Sequence, residues 1–292
     1  MKKENAIPEA NNNLTAISDP AEIKRLLLDI LRFIREVCEK NGIRYYLAYG
    51  TLLGAIRHNG FIPWDDDVDI FMPRPDFNRF VSLLSGSSGH YRILTPLQKD
   101  YYYNFGKVVD TRTVLLENGH RPIENMGIYI DIFPLDGMPD NREEREKMNR
   151  ELIRIRRKIS AFGKQFPRPR KNILKYLSSI RHYVCCRFSK LADWQQEYLD
   201  AVSQFDYNES KYVYVTGGSV EIEGGLSSIF PVKWFENTAK VLFEGEYYSA
   251  PADYEEMLRQ LYGDYMTLPP REKQISVHDY SVYYKHQAEK AD

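Results

Sequence analysis

The sequence has few cysteines and no long apolar run. The first absence argues against a disulfide-stabilised protein, and the second argues against a membrane-spanning one. Only three cysteines occur among 292 residues, and no two of them are spaced as Cys-x-x-Cys. The chain therefore offers no disulfide framework, and a reducing compartment is expected. No apolar stretch reaches the roughly 18 residues of a membrane-spanning helix. The N-terminal stretch contains no apolar core typical of a signal peptide. We therefore expect a cytoplasmic protein.

A strong net charge is also absent, because the formal charge at pH 7 is −1. A chain without an overall basic excess predicts no nucleic-acid partner. Hydrophobic residues make up 43% and charged residues 28% of the sequence, as is typical of an ordinary globular protein. The length suits one large domain or two small ones.

The charge is nevertheless unevenly distributed along the chain. Residues 152–190 contain twelve Lys or Arg residues and no Asp or Glu. A basic surface of this kind suits phosphate-bearing partners or an anionic membrane, which would place the protein peripherally at the inner face. It is equally typical of a pair of helices whose basic faces are solvated. Both interpretations stay open at this point.

Helix and strand signals alternate through the first half of the chain. Asp19 and Pro20 begin an amphipathic helix that ends at Asn41-Gly42. A short strand, a short helix, the strand "DVDIFM", a helix after Pro73 and four further strand candidates follow. This order predicts an α+β or α/β fold with a mixed sheet flanked by helices. The predicted divisions are a flexible lead-in (1–17), a core (18–140), a basic helical insertion with two helices (141–206), and a C-terminal segment that packs on the core and whose tail shows no clear pattern (207–292).

The stretch "GFIPWDDDVDIFM" places four aspartates, at positions 65, 66, 67 and 69, beside a short apolar run. On a strand, Asp67 and Asp69 would project from the same face, because side chains alternate with a period of two. Two carboxylates held together repel, and a hard divalent cation, Mg²⁺ or Mn²⁺, is the natural compensation for oxygen ligands. The predicted third ligand is Asp131, a single acid within the apolar stretch "GIYIDIFPL". Asp65 and Asp66 are expected to support these ligands from the loop.

A glycine turn lies 17 residues before Asp67, in the stretch "YGTLLGAIRHNG". Gly50 and Thr51 are predicted to end a strand and open a helix. Free backbone N–H groups at such a helix N-terminus bind phosphate, and the missing Cβ of Gly50 allows a close approach. The turn therefore predicts a phosphate site near the aspartates.

The order of these features resembles the nucleotidyltransferase (polymerase-β-like) core, and the longer motifs resemble the LicD family. The stretches "YGTLLGAIRHNGFIPWDDDVDIFM" and "GIYIDIFPLDGMP" carry the second resemblance. It covers residues from roughly 30 to 140, with weaker support from "YGDYMTLPP" near the C-terminus. The family includes bacterial phosphorylcholine transferases of surface glycans, and fukutin and fukutin-related protein are distant relatives.

The resemblance implies metal-dependent transfer of a phosphorylated alcohol, phosphocholine or a similar group, from a CDP-linked donor. The acceptor would be a hydroxyl of a cell-surface glycan, such as teichoic acid or lipopolysaccharide, or of its lipid-linked precursor, and CMP would be released. Carried over to matching positions, the family's metal-binding acids fall on Asp67, Asp69 and Asp131, and its glycine turn falls on Gly50-Thr51. One of the acids would accept the proton of the acceptor hydroxyl, and Asp131 is the preferred candidate.

Other candidate substrate-binding residues each have a second interpretation. Arg57 and His58 either contact the donor phosphates or the acceptor, or form a solvated helix end. Lys107, in the strand candidate "NFGKVVD", either neutralises phosphate charge in the transition state or is an exposed strand lysine, and Arg112 is similar. Trp64 either stacks on the base or on a quaternary ammonium group of the donor, or belongs to the core.

Three other functions compete with this hypothesis. A D-x-D glycosyltransferase would normally place a nucleotide-binding βαβ half before its D-x-D, and the chain before Asp67 is short for that. A phosphatase with an aspartate nucleophile needs a strand directly before its first Asp, whereas here "IPW" precedes the aspartates. A binding protein without catalysis is disfavoured, because Asp67, Asp69 and Asp131 are all present.

Overall fold

The computed structural model describes residues 14–86, 89–167, 169, 172–187, 190–216, 229–276 and 278–286, and helices alternate with strands along most of this length. The helices of this part of the chain are α1 (Pro20–Asn41), α2 (Tyr49–His58), α3 (Arg74–Leu84), α4 (Arg142–Gly163), α5 (Ile173–Arg187), α6 (Leu191–Val202) and α7 (Tyr254–Tyr262). Its strands are β1 (Leu14–Ile17), β2 (Tyr46–Leu47), β3 (Asp69–Pro73), β4 (Tyr91–Leu94), β5 (Gly106–Asp110), β6 (Thr113–Glu117), β7 (Ile128–Met138), β8 (Tyr212–Val215), β9 (Ile229–Pro231), β10 (Thr238–Phe243), β11 (Glu246–Pro251) and β12 (Tyr280–Lys285).

Helix α1 has the boundaries that its end signals predict. The Asp19 carboxylate accepts a hydrogen bond from the backbone N–H of Ala21 (2.9 Å), and Pro20 occupies the first turn. Gly42 ends the helix in the left-handed conformation, with φ of 59°. One face of the helix is buried, and its residues Leu26, Leu27, Ile30, Leu31 and Ile34 belong to the hydrophobic core.

The central sheet runs in the order β2-β3-β7-β5-β4, and β8 and β9 extend it beside the long strand β7. Strands β3 and β7 are parallel, whereas the pairs β2–β3, β7–β5 and β7–β8 are antiparallel. The middle of the sheet is inaccessible to water, with Phe71 and Ile132 fully buried. The mixed sheet and its flanking helices confirm the predicted class, and the parallel pair brings the first residues of β3 and the middle of β7 together.

A second sheet, in the order β1-β12-β6, joins the two ends of the described chain. Residues 14–17, which were predicted as part of a flexible lead-in, form β1 and pair with β12. The tail without a clear pattern contains β12, whose Val282 is buried. The prediction was wrong for residues 14–17, and the strand in the tail was missed, because β1 and β12 stabilise each other although they lie about 270 residues apart, which a local pattern does not show.

The region predicted to contain two helices contains three: α4, α5 and α6. The break predicted around "FPRPRKN" separates α4 from α5. The second break, before Leu191, has no Gly or Pro signal in the sequence. Helix α4 packs against α6, and its Leu152, Ile155 and Ile159 are fully buried. Within the described residues, no helix combines the length and the apolar character that crossing a membrane requires.

Candidate active site

Three strands of the central sheet bring two acids and a lysine into one row. Asp69, the first residue of β3, lies opposite Asp131 of β7. Asp131 in turn lies opposite Lys107 of β5. Residues paired across neighbouring strands point to the same face of a sheet, so the three side chains share one face. Three residues predicted from distant parts of the sequence are therefore neighbours in the fold.

Lys107 is a buried lysine rather than an exposed one. The residue is only 1% exposed, and its Nζ donates a hydrogen bond to Oδ1 of Asp131 at 2.6 Å. The ammonium group also lies over the rings of Tyr129 and Tyr103, 3.4 Å and 4.4 Å from their centroids. Burial raises the pKa of Asp131, and the positive charge of Lys107 opposes this effect. The alternative interpretation of Lys107 as an exposed strand lysine is therefore wrong.

Asp67 lies in the loop before β3, not on the strand with Asp69 as predicted. The strand begins only at Asp69, whose backbone N–H donates to the Thr51 hydroxyl instead of continuing a ladder towards Asp67. Burial, and then the charge of Asp67, raises the pKa of Asp65 to about 8. Burial, followed by the charges of Asp67 and Asp131, also raises the pKa of Asp69 well above its usual value. Burial is the largest cause of both shifts, and the neighbouring carboxylates add to it.

The C-terminal segment supplies a partner for Asp66. The side chains of His278 and Ser276 each lie 2.8 Å from the Asp66 carboxylate, and the Tyr280 hydroxyl donates to the Asp66 carbonyl oxygen. The hydrogen bond to Asp66 is the main cause that raises the pKa of His278 to about 9. His278 Nε2 also lies 3.5 Å from a carboxylate oxygen of Asp67. Nothing local to His278 in the sequence points to an aspartate 212 residues away.

Gly50 and Thr51 lie in the first turn of α2, directly against the aspartates. A Cβ added at Gly50 would lie 2.5 Å from Oδ2 of Asp65, so only glycine leaves room for this carboxylate. The Thr51 hydroxyl accepts a hydrogen bond from the backbone N–H of Asp69 at 2.9 Å. No side chain caps this helix, since the residue before it is Ala48. The predicted phosphate-binding turn is therefore beside the acids, and its immediate contacts are with Asp65 and Asp69.

We expect Gly50→Ala to lower catalytic turnover about tenfold to a hundredfold while the protein stays folded. The new methyl group collides with the movable end of the Asp65 side chain, and a displacement of about 1 Å within a catalytic site carries a penalty of this size. The matched control is Gly86→Ala, where a Cβ meets nothing within 4 Å. Steady-state kinetics and thermal melting of both variants measure the difference. Equal turnover in the two variants would contradict the expectation.

Two tyrosines close to the acids were not singled out from the sequence. Tyr49 begins α2 with a positive φ of 42°, and its hydroxyl is buried without a hydrogen-bond partner among the described residues. Burial and then the charge of Asp69 raise the pKa values of both Tyr49 and Tyr262. A strained backbone and an unsatisfied buried hydroxyl at the same residue are typical of functional sites. These two could not be recognised among the 22 tyrosines of the sequence, because no sequence feature separates them from tyrosines of the core.

Of the other predicted residues, Arg57, His58 and Trp64 lie at the end of α2 and just before the aspartates, whereas Arg112 lies elsewhere. Arg57 donates to the carbonyl oxygen of Tyr265 at 2.7 Å and has no carboxylate partner in the described part of the chain. The His58 ring meets the Trp64 ring edge-on, 6.4 Å between centroids, and Trp64 packs on the core at the entrance to the aspartate loop. Arg112 lies past the far end of β5 from Lys107, where it binds the fully buried Asp110. The fold therefore separates Arg112 from the acids.

The donor set fits a hard divalent cation in its chemistry. Five aspartates, at 65, 66, 67, 69 and 131, lie close together, and Lys107 and His278 are their ion-pair partners among the described residues. The atoms that the aspartates offer to a metal are all oxygen. Within the described residues, however, no group of three or more His, Cys, Asp or Glu side chains is arranged to hold a metal ion. Asp131 is turned towards Lys107, so a shared ion would require the Asp67, Asp69 and Asp131 carboxylates to turn towards one another.

The site gathers half-buried carboxylates and a buried lysine where two parallel strands begin to pair. Acids that hold metal ions, together with a lysine, recur in enzymes that transfer phosphoryl groups. Comparison with known proteins shows which protein family the chain resembles. The family described as "LicD/FKTN/FKRP, nucleotidyltransferase domain" matches residues 42–175. The lipopolysaccharide cholinephosphotransferase LicD of Haemophilus influenzae is 32% identical over 269 residues, which are 90% of this chain and 97% of that protein. The chain therefore belongs to the LicD family, as its motifs predicted.

More distant relatives share only part of the chain. The human ribitol 5-phosphate transferase FKRP is 40% identical over 65 residues, which are 22% of this chain and 13% of that protein. Mannosyltransferase regulator 4 of Saccharomyces cerevisiae is 31% identical over 128 residues, 41% of this chain and 10% of the yeast protein. Two of these three relatives are named as transferases of a phosphorylated alcohol.

Proposed function

We propose that this protein transfers a phosphorylated alcohol from a CDP-linked donor to a hydroxyl of a cell-surface glycan or its lipid-linked precursor, and releases CMP. The proposal includes a nucleotidyltransferase-like core and a cytoplasmic location. The observation that carries it is the row of Asp69, Asp131 and Lys107, with Asp65 and Asp67 at its edge. The names of the LicD and FKRP relatives support the transferred group.

In the proposed reaction, the acceptor hydroxyl oxygen forms a bond to the donor phosphorus that carries the alcohol, and the bond from that phosphorus to CMP breaks. Asp131 takes the hydroxyl proton, because burial makes its carboxylate more basic and Lys107 leaves its second oxygen free. In this proposal the backbone N–H groups in the first turn of α2, which no side chain caps, and the Arg57 guanidinium orient the phosphates. Asp67, Asp69 and Asp131 would hold Mg²⁺ or Mn²⁺, which when bound would offset phosphate charge.

We expect CMP release when the protein is incubated with a glycan pool, Mg²⁺ and one member of a panel of CDP-choline, CDP-ribitol and CDP-glycerol. Mass spectrometry of the glycan would show the mass of the phosphorylated alcohol, because the phosphorus stays with the transferred group. EDTA is expected to stop the reaction, and added Mg²⁺ or Mn²⁺ to restore it. No CMP from any donor would overturn the proposal.

The same products separate the proposal from a D-x-D glycosyltransferase. That reaction would use a nucleotide sugar, release a nucleoside diphosphate and add a sugar without phosphate. Among the described residues before Asp67, the strands are only β1 and β2, and they lie in different sheets. The region therefore contains no parallel βαβ unit that would bind a nucleotide sugar, so the structure favours the phosphotransferase.

A further inference from the structure

Exposed apolar side chains are concentrated in one short part of the chain. Of eleven exposed large apolar residues in the described chain, five lie between positions 166 and 184. They are Phe166, Ile173, Leu174, Leu177 and Val184. Four of them belong to α5, in which Leu174 is 74% and Leu177 is 54% exposed. Isolated exposed apolar residues are ordinary, but a cluster on one helix marks an interaction surface.

The helical phase of α5 shows that this surface is a continuous stripe. Ile173, Leu177 and Val184 are spaced by four and then seven residues, so they lie along one side of the helix, with Leu174 beside them. The helix packs against α4, and Tyr176, Ser179 and Tyr183, which lie away from the stripe, are half-buried. The ring of Phe166 meets the Tyr183 ring edge-on at 5.3 Å, which attaches the preceding loop to the helix. The apolar stripe is therefore presented to solvent by a helix that is attached on its other side.

The charge around this stripe is positive, and the fold shows which cations are available. Several basic residues of α4 have internal partners: Arg154 and Lys158 pair with Glu197, and Arg156 donates to the Tyr214 hydroxyl. On α5, by contrast, Lys175 and Arg181 are exposed and have no carboxylate within ion-pair distance among the described residues. Since residues 152–190 contain no acid, nothing local neutralises them.

We propose that α5 docks this protein on an anionic lipid bilayer, with its apolar stripe in the headgroup region and Arg181, which lies among the apolar residues, at the phosphates. Lys175 lies farther round the helix and adds positive charge near the surface. Exposed apolar residues combined with Lys and Arg are typical of an interfacial helix, and α5 has both without being long enough to span the bilayer. A bilayer fits better than a protein partner because exposed cations without acidic neighbours complement a negatively charged surface. This surface is separate from the aspartates, so the inference does not depend on the proposed transfer reaction.

Vesicle co-sedimentation of the full chain, without any donor or acceptor, tests the docking surface. We expect binding to phosphatidylglycerol-containing vesicles and little binding to pure phosphatidylcholine vesicles. Raising the salt from about 50 mM to about 500 mM is expected to weaken the binding, because screening shortens the reach of Lys175 and Arg181. The double variant Leu174→Ser/Leu177→Ser is expected to bind at least about tenfold more weakly, because two exposed leucines no longer leave water.

The matched control is Leu83→Ser/Leu97→Ser, which also removes two exposed leucines, but from outside α5. It is expected to bind vesicles like the unaltered protein. A charge-reversed variant, Lys175→Glu/Arg181→Glu, is expected to lose both the binding and its salt dependence. Equal binding to neutral and anionic vesicles, or equal loss in the two leucine variants, would overturn the proposal. So would a change in oligomeric state on Leu174→Ser/Leu177→Ser without a change in vesicle binding, since α5 would then join copies of the chain.

Discussion

Replacing Asp69 with Asn is expected to reduce transfer on the order of 10³-fold while leaving the protein at least as stable as before. The side chain keeps its size, and its backbone N–H keeps the hydrogen bond to Thr51. The variant removes a carboxyl group whose pKa is raised by burial and then by the charges of Asp67 and Asp131. The ionised form of Asp69 therefore destabilises the metal-free protein, and asparagine carries no such charge. Loss of activity with an unchanged or higher Tm separates a functional acid from a structural one.

Asp136→Asn is the matched control, because it alters another acid near the same strands. Asp136 is on β7, fully buried, and its carboxylate is paired with Arg74 at 2.5 Å and 2.8 Å. Loss of that carboxylate leaves a guanidinium without its partner, so the variant should lose stability and keep its turnover per folded molecule. Calorimetric titration with Mn²⁺ adds a second measurement, in which Asp69→Asn loses binding and Asp136→Asn retains it. Similar turnover and metal binding in the two variants would show that Asp69 has no special role.

Replacing Lys107 with Met is expected to destabilise the protein by about 3–5 kcal/mol, the usual effect of removing one partner of a buried ion pair. The Asp131 carboxylate would stay in the sheet without its 2.6 Å partner. Urea unfolding followed by circular dichroism measures the change in the free energy of unfolding. The control Lys240→Met removes a half-exposed lysine 3.6 Å from Glu39, and should cost less than about 1 kcal/mol.

The double variant Lys107→Met/Asp131→Asn distinguishes the structural from the chemical part of this effect. With both charges removed, most of the stability is expected to return, because a neutral amide needs no cation. Transfer by the double variant is expected to be undetectable even though its stability returns, because the amide that replaces the Asp131 carboxylate cannot take the acceptor proton. A double variant as unstable as Lys107→Met alone would mean that the packing of the lysine against Tyr103 and Tyr129, not its charge, stabilises this row.

Much of the fold could be predicted where a local signal exists. The caps of α1 and the apolar strands β3 and β7 follow from residues close together in the chain. The candidate acids Asp67, Asp69 and Asp131 could also be named, because an acid beside an apolar strand is unusual. Strands β1 and β12 could not be predicted, since their partners are at opposite ends of the chain.

By itself, the sequence predicted a set of acids beside a glycine turn and membership of the LicD family. Only the tertiary structure decided how the four aspartates of the opening motif differ. Asp65 lies against Gly50, Asp66 is held by His278, Asp67 stays in the loop, and Asp69 begins the strand opposite Asp131. The physical reason is register: which carboxylate meets Lys107 or His278 depends on how distant strands pair, and a shift of one residue would turn each side chain to the other face.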